Sequence, residues 1–475
     1  MLRRRVPIAW VQLAIPLAVL AALPLVRTVD PDFWWHLRTG KLIFESGIPR
    51  NDPFSWTAAG KAWVTHEWLS EAIIYAVEST LGYAGNVVVF GLAMVAALGF
   101  MYALGRRLGA GTKPLVILSA LAVFVLIRFV TVRPQEFTWL LFAVFVYVLQ
   151  RHDEGDSMPL WVLPILMALW VNLHLGFFYG LMVVAIWALV QIGRHVGTLA
   201  SGLRTPLLVG GACLLATFAN PNGPAILTYP AHYLLQGNAQ RSLIEEWQRP
   251  DFTSPVTAPI TAVIVLLALS LASRRRPFLW LLSVVVVVLS VQAVRNVPLA
   301  VLLLFPMAGS AAAGRWTLAS RAKDSATTLP AVVGVTIVAV VMAACLVGAV
   351  QRGGSLSVRD PSDDGYPAEG AAFVASHYPE ARLFNDYGWG GFLIDRLYRV
   401  TPVFIDGREE FYGSGIMGDY VTILRVQPGW DELLLKYDAD VALIPRDSKL
   451  ADALRASTSW QEEFTGSIEA VFVRH

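Results

Sequence analysis

Only two cysteines occur in 475 residues, Cys213 and Cys345, and both sit inside apolar runs. That excludes a disulfide framework and any cysteine-built zinc site. Charge is also scarce. Asp, Glu, Lys and Arg make up 15% of the chain, against about 25% in an ordinary soluble domain. What charge there is sums to +2, so there is no global electrostatic bias toward nucleic acid. No glycine-rich phosphate loop and no dinucleotide fingerprint is present, which argues against a donor activated by a nucleotide on the cytoplasmic side. No internal repeat is visible, so an inverted-repeat transporter is not suggested.

Apolar residues take the place of the missing charge. They make up 56% of the sequence, and the mean hydropathy is +0.56. Sixteen tryptophans suit a chain with many membrane–water interfaces. Runs of spanning length fall at 7–26, 86–104, 114–131, 136–150, 159–173, 175–193, 206–220, 256–273, 278–294, 297–313 and 329–350, which predicts about eleven transmembrane helices. The first run follows Met-Leu-Arg-Arg-Arg and looks like a signal peptide. Its length and the spans behind it favour a first membrane helix. With Arg3, Arg4 and Arg5 in the cytoplasm, every later inside loop is basic: Arg106, Arg107 and Lys113, then Arg151, Arg194 and Arg204, Arg274 to Arg276, and Arg315, Arg321 and Lys323. This register places residues 351–475 outside the cytoplasm.

The expected fold class is therefore mainly α: a polytopic transmembrane helical bundle with a small C-terminal α/β extracytoplasmic domain. Residues 1–350 form the membrane domain, with a long external loop at 27–85 and a second at about 221–255. Residues 351–366 are rich in Gly, Ser, Asp and Pro and read as a linker. Residues 367–475 form the external domain. Strands are predicted at Ala381–Phe384, Pro402–Ile405, Val441–Ile444 and Ala470–Val473, and helices near 367–377, 430–437 and 447–457.

The loop at 27–85 carries the densest chemistry. It contains Asp30-Pro31-Asp32-Phe33-Trp34-Trp35-His36. Asp30 is placed to cap a helix, with Pro31 at its first position. Asp32 and His36 share a face at helical spacing and make a plausible general-base pair. Further on, Thr65-His66-Glu67 reads as the cap and first turn of a second surface helix. Arg133, with Gln135 and Glu136, lies at an external helix end. Asn172 and His174, Arg295 and Asn296, and Glu245-Glu246-Trp247 lie at others. Ionisable groups beside a membrane are costly and point to function, and arginine suits paired hydrogen bonds to phosphate. Arg133 and Arg295 are the candidates for that role.

This arrangement resembles the C-type glycosyltransferase superfamily, in particular bacterial relatives of protein O-mannosyltransferases and aminoarabinose transferases. The resemblance rests on Pro31-Asp32-Phe33-Trp34-Trp35-His36-Leu37 just after the first span, and on His66-Glu67-Trp68-Leu69 later in the loop. Many relatives have an Asp-Glu pair where this chain has Asp32-Phe33, and a basic residue with two prolines where it has His66-Glu67-Trp68. In the tail, Asn385-Asp386-Tyr387-Gly388-Trp389-Gly390-Gly391 and Ile405-Asp406-Gly407-Arg408 resemble the external domain of multispan bacterial proteins of this group. Asp406 and Arg408 can also simply pair with each other.

The resemblance implies a glycosyltransferase of the bacterial inner membrane. It implies a sugar linked through phosphate to a polyprenol as donor, with a glycan, lipid or protein of the envelope as acceptor. Asp32 would be the general base, with Asp30 and Glu67 as alternatives. His36, His66, Arg133 and Arg295 would hold the donor phosphate, and a single displacement would invert the anomeric carbon. Some relatives carry a divalent cation, and no motif here places one. Two other functions fit the same composition: a carrier for lipid-linked saccharide, and a non-catalytic envelope scaffold. A carrier would place charge near the bilayer midplane rather than at one end of the spans.

Overall fold

The computed structural model describes residues 30–194, 203–229, 245–250, 276–316 and 365–475. The predicted spans 7–26, 256–273 and 329–350, and nearly all of the linker 351–366, lie outside these residues. The chain divides into two compact units. One comprises 1–27, 86–221 and 245–356; the other comprises 28–85, 222–244 and 357–475.

The first unit is helical. It holds the distal part of α2 (Trp68–Arg107), then α3 (Thr112–Leu126), α4 (Gln135–Asp153), α5 (Val162–Leu173), α6 (Phe177–Arg194), α7 (Arg204–Ala216), α8 (Pro277–Gln292) and α9 (Val297–Trp316). Among the described residues three segments are long and apolar enough to cross a membrane: Trp68–Arg107, Phe177–Arg194 and Val294–Ala311. Four shorter apolar helices, α3, α5, α7 and α8, stand among them. The sequence dictates this. α8, for example, is PFLWLLSVVVVVLSVQ, apolar on every side, and such a helix is stable only when its whole surface meets protein or lipid. Within the unit α9 packs on α3 and α8, and α7 packs on α5 and α6. Large apolar side chains remain on the outside, among them Phe124 at 68% exposure and Leu215 at 70%. Water would penalise such a surface and hydrocarbon would not.

α2 is two helices joined at Gly82, whose φ of 66° breaks the helical path. This left-handed conformation is open to glycine and costly for other residues. The kink separates the surface segment that follows His66-Glu67 from the apolar segment predicted to begin at residue 86.

The second unit is built from residues far apart in sequence. α1 (Pro31–Ser46) starts as its sequence predicts. Asp30 is the N-cap and its carboxylate accepts from the Asp32 N–H at 3.0 Å. The tail contributes α10 (Ala368–His377), α11 (Gly390–Leu397), α12 (Glu409–Leu424), α13 (Trp430–Lys436) and α14 (Lys449–Ala456). Its sheet has strands β1 (Leu383–Asn385), β2 (Val441–Pro445), β3 (Trp460–Thr465) and β4 (Glu469–Arg474), in the order β1-β2-β4-β3. β1 and β2 are parallel, with Phe384 opposite Ala442; β4 runs antiparallel to both β2 and β3.

The loop predicted at 27–85 is part of this fold. α1 packs on α11, where Trp34 meets Phe392 edge-on with ring centres 5.2 Å apart. Phe54 and Trp56 exchange backbone hydrogen bonds with Val403 at 3.1 Å each. Val403 also bridges to Leu383. The predicted strand at Pro402–Ile405 is reduced to these bridges, and a long-range partner from the loop supplies its pairing. The Trp56 indole donates to Leu383 O at 3.1 Å, and Arg38 pairs with Asp395 at 2.9 Å.

Candidate active site

The sequence candidates fall into two groups, one in each unit. In the second unit Asp32 lies in the first turn of α1 and is partly exposed. The Trp35 indole donates to its Oδ1 at 3.1 Å, which holds the carboxylate in place. Asp30 caps the same helix. The tail crowds in from the other side. A Cβ on residue 407 would stand 2.0 Å from Asp32 Oδ1, and one on residue 391 would stand 2.4 Å from the Pro31 carbonyl oxygen. Gly391 and Gly407 therefore permit the close approach of the α1 N-terminus to the tail.

One turn further along α1, His36 is buried at 2% exposure. Its Nε2 lies 3.7 Å from Glu67 Oε2 and its Nδ1 lies 3.6 Å from Glu71 Oε1. Glu67 also approaches His66, with Oε1 3.4 Å from Nε2. The His66 ring lies 5.2 Å from that of Tyr229. Two imidazoles and two carboxylates thus meet where α1 packs against the start of α2. Glu71 entered this group unannounced, although its spacing of four from Glu67 puts both on one helix face. Among the described residues no group of three or more His, Cys, Asp or Glu side chains is placed to hold a metal ion.

Behind this group lies an ion network that sequence reasoning found only in part. Arg408 makes paired hydrogen bonds to Asp406, at 2.8 Å and 2.7 Å, as the local sequence allows. Its remaining terminal nitrogen, Nη1, is 2.9 Å from Asp52 Oδ1, a charge contact without hydrogen-bond geometry. Trp63, Phe54 and Phe411 stand around the guanidinium, with ring centres 4.5, 5.0 and 5.1 Å away. Burial alone would lower the Arg408 pKa, but Asp406 and Asp52 outweigh it and leave it well above the usual value. Asp52 is 356 residues away in sequence, and no local pattern could have named it.

In the first unit the polar residues at helix ends also converge. Arg133 Nη1 lies 3.5 Å from Glu246 Oε2, and the Arg295 guanidinium lies 3.9 Å above the Trp247 ring. The Val294 N–H donates to Gln248 O at 3.2 Å, which ties the two segments together. Tyr179 donates to Asn296. His174 Nδ1 accepts the Gly176 N–H at 2.9 Å and meets the Thr138 hydroxyl at 2.7 Å. Burial would raise the Glu246 pKa; the charges of Arg133, Arg295 and His174 hold it below the ordinary value instead.

A group with a depressed folded-state pKa stabilises above its unfolded pKa, and that contribution is lost as pH falls through the folded value. Glu246→Gln should therefore lower the thermal midpoint at neutral pH. The gap to the wild type should narrow as pH falls below the ordinary glutamate value of 4.5. A gap that stays constant across that range in a thermal-shift titration would contradict the ion pairing.

No protein-family model matches this chain, and no curated protein matches it in sequence. Solved structures do. ArnT from Cupriavidus metallidurans in the apo state superimposes with a TM-score of 0.53 at 16% identity, over 98% of this chain and 97% of ArnT. The chain has the fold of ArnT. ArnT from the same organism bound to undecaprenyl phosphate gives a TM-score of 0.50 at 15% identity, over 98% of both chains. The arabinofuranosyltransferase AftD from mycobacteria gives 0.51 at 15% identity; this chain is covered to 98% and spans 40% of AftD. At these identities the likeness concerns the fold alone.

Proposed function

We propose that this protein is a membrane glycosyltransferase that moves a sugar from a polyprenyl-phosphate donor to an envelope acceptor on the extracytoplasmic side. The observation that carries this reading is the pairing of Arg133 with Glu246 while Arg295 lies over the ring of the next residue, Trp247, at the ends of apolar helices. Two guanidinium groups set against adjacent residues beside a membrane form a natural seat for a lipid-borne phosphate. The structure of ArnT bound to undecaprenyl phosphate lends support from the same fold. The full topology in this reading has about eleven spans, a cytoplasmic N-terminus and an external tail, in a bacterial inner membrane.

The chemistry is a single displacement. The acceptor hydroxyl gives its proton to the Asp32 carboxylate, and its oxygen attacks the anomeric carbon. The bond from that carbon to the phosphate oxygen breaks, and the polyprenyl phosphate leaves with the electron pair. Configuration inverts. Arg133 and Arg295 stabilise the charge that grows on the leaving phosphate. Asp30 caps and orients the helix that carries Asp32. Glu67 orients His36 and His66, so that both rings present fixed nitrogens.

Undecaprenyl phosphate should bind the purified protein in nanodiscs. A variant carrying both Arg133→Ala and Arg295→Ala should bind at least about tenfold more weakly, the equivalent of roughly 1.4 kcal/mol. Equal binding by the variant would remove these arginines from the donor site.

Gly407→Ala should lower kcat by about a hundredfold, the scale expected of a displaced reacting group, because its Cβ would drive Asp32 Oδ1 out of place. Unchanged kcat in a folded Gly407→Ala protein would contradict that placement of Asp32.

A further inference from the structure

Four non-glycine residues among those described have a positive φ, and two of them, Glu380 at 66° and Arg399 at 64°, line one cavity of the second unit. Side chains with a Cβ pay steric strain in this region that glycine avoids. Nine described glycines take positive φ elsewhere in the chain. At this cavity the chain keeps a carboxylate and a guanidinium instead. The two strained positions are neighbours across a backbone hydrogen bond: the Glu380 N–H donates at 2.7 Å to the carbonyl of Val400, the residue that follows Arg399. Strain retained at two linked positions around one cavity points to a use for their side chains.

The cavity has a volume of about 380 Å³, within the range of small-molecule sites. Its wall includes Phe54 and Tyr398, whose rings meet nearly at right angles (71°) with centres 5.9 Å apart. Pro53 and Pro402 add rigid apolar surface, and Glu380, Arg399 and Thr401 supply polar groups. The Arg38 and Arg399 guanidinium groups lie 5.2 Å and 5.3 Å from the centre of the Tyr398 ring. Arg38 is itself fixed by Asp395, so the ring is oriented before any ligand arrives.

We infer that this cavity binds a neutral saccharide of one or two rings. A pyranose offers C–H faces that pack on aromatic rings, and hydroxyls that bond to carboxylate and guanidinium groups together. Glu380 and Arg399 cancel in charge, which favours a neutral ligand over an ionic one. On the transferase reading the site holds the glycan of the acceptor. That role rests on the reading above; the binding itself does not.

The test uses the full chain in nanodiscs without any lipid donor. Saturation-transfer NMR with maltose, cellobiose and mannobiose should show transfer to the ring C–H protons of at least one sugar. Tyr398→Ala should weaken that binding about tenfold, the scale of a lost aromatic face. A double variant, Glu380→Gly with Arg399→Gly, separates binding from folding. It relieves the left-handed strain, so it should melt at or above the wild-type temperature and still bind at least about tenfold more weakly. No transfer to any of the three sugars would overturn the proposal, as would equal binding by the double variant. Sugar transfer by a protein that fails this binding test would leave the transferase reading standing and remove this site alone.

Discussion

Replacing Arg408 with methionine is expected to destabilise the protein by about 3–5 kcal/mol, the cost of leaving a buried ion network without its partner. Methionine keeps most of the volume between Trp63, Phe54 and Phe411 and removes the charge. Two carboxylates then face each other with no cation between them. The side chains of Asp52 and Asp406 are both fully buried, so water cannot take over. Lys61 lies beside Asp52 but is exposed at the surface, and it offers partial relief at most. A triple variant, Arg408→Met with Asp52→Asn and Asp406→Asn, should recover much of the loss. Each asparagine removes a charge and keeps one oxygen, at position 406 for the backbone N–H of residue 408 and at position 52 for one of the Phe54 and Ser55 N–H groups, which now bond different oxygens of Asp52. Thermal melts followed by tryptophan fluorescence would measure both variants. A triple variant no more stable than the single one would show that the network contributes through packing rather than charge.

That network also marks where the sequence stops being informative. The Asp406–Arg408 pair is visible in a three-residue window, because side chains two apart in a tight loop can meet. The third member, Asp52, is recruited by the tertiary fold. The same division runs through the whole chain. The cap at Asp30, the helix after Pro31 and the apolar helices are local consequences of residue type and period, and among the described residues the structure has apolar helices that overlap the expected runs. β3 was not foreseen. Its sequence, Trp-Gln-Glu-Glu-Phe-Thr, alternates weakly and is carried by pairing to β4. α11 and α12 were missed for a related reason. Their glycine content weakens the local helix signal, and burial against other elements decides the outcome. The union of residues 28–85 with the tail has no local signature at all. It depends on Phe54, Trp56 and Val403 sharing hydrogen bonds across about 350 residues.

The candidate site divides in the same way. Asp32, His36, His66, Glu67, Arg133 and Arg295 stood out because polar groups beside apolar runs are costly and need a reason. The structure gathers the first four within one unit and the two arginines within the other. Glu71, Gly407 and the Glu380–Arg399 cavity carry no such mark in the sequence, since each matters only through what lies opposite it.

Asp32→Asn is expected to reduce sugar transfer by about 10²–10⁴-fold, the usual contribution of a positioned general base. The substitution is conservative in every other respect. An asparagine oxygen can still accept from the Trp35 indole, and Asp30 still caps the helix. The expected loss therefore falls on the rate and not on folding. Polyprenyl phosphate binding should be nearly unchanged, because that phosphate is assigned to the arginines.

The most direct test compares purified wild type with Asp32→Asn, both folded by thermal melt, for transfer from a panel of polyprenyl-phosphate sugars to an envelope extract. Transfer by the wild type and its loss in Asp32→Asn is the predicted result. Equal transfer by both proteins would contradict Asp32 as the base, and absence of transfer by the wild type from every donor in the panel would contradict the glycosyltransferase reading itself.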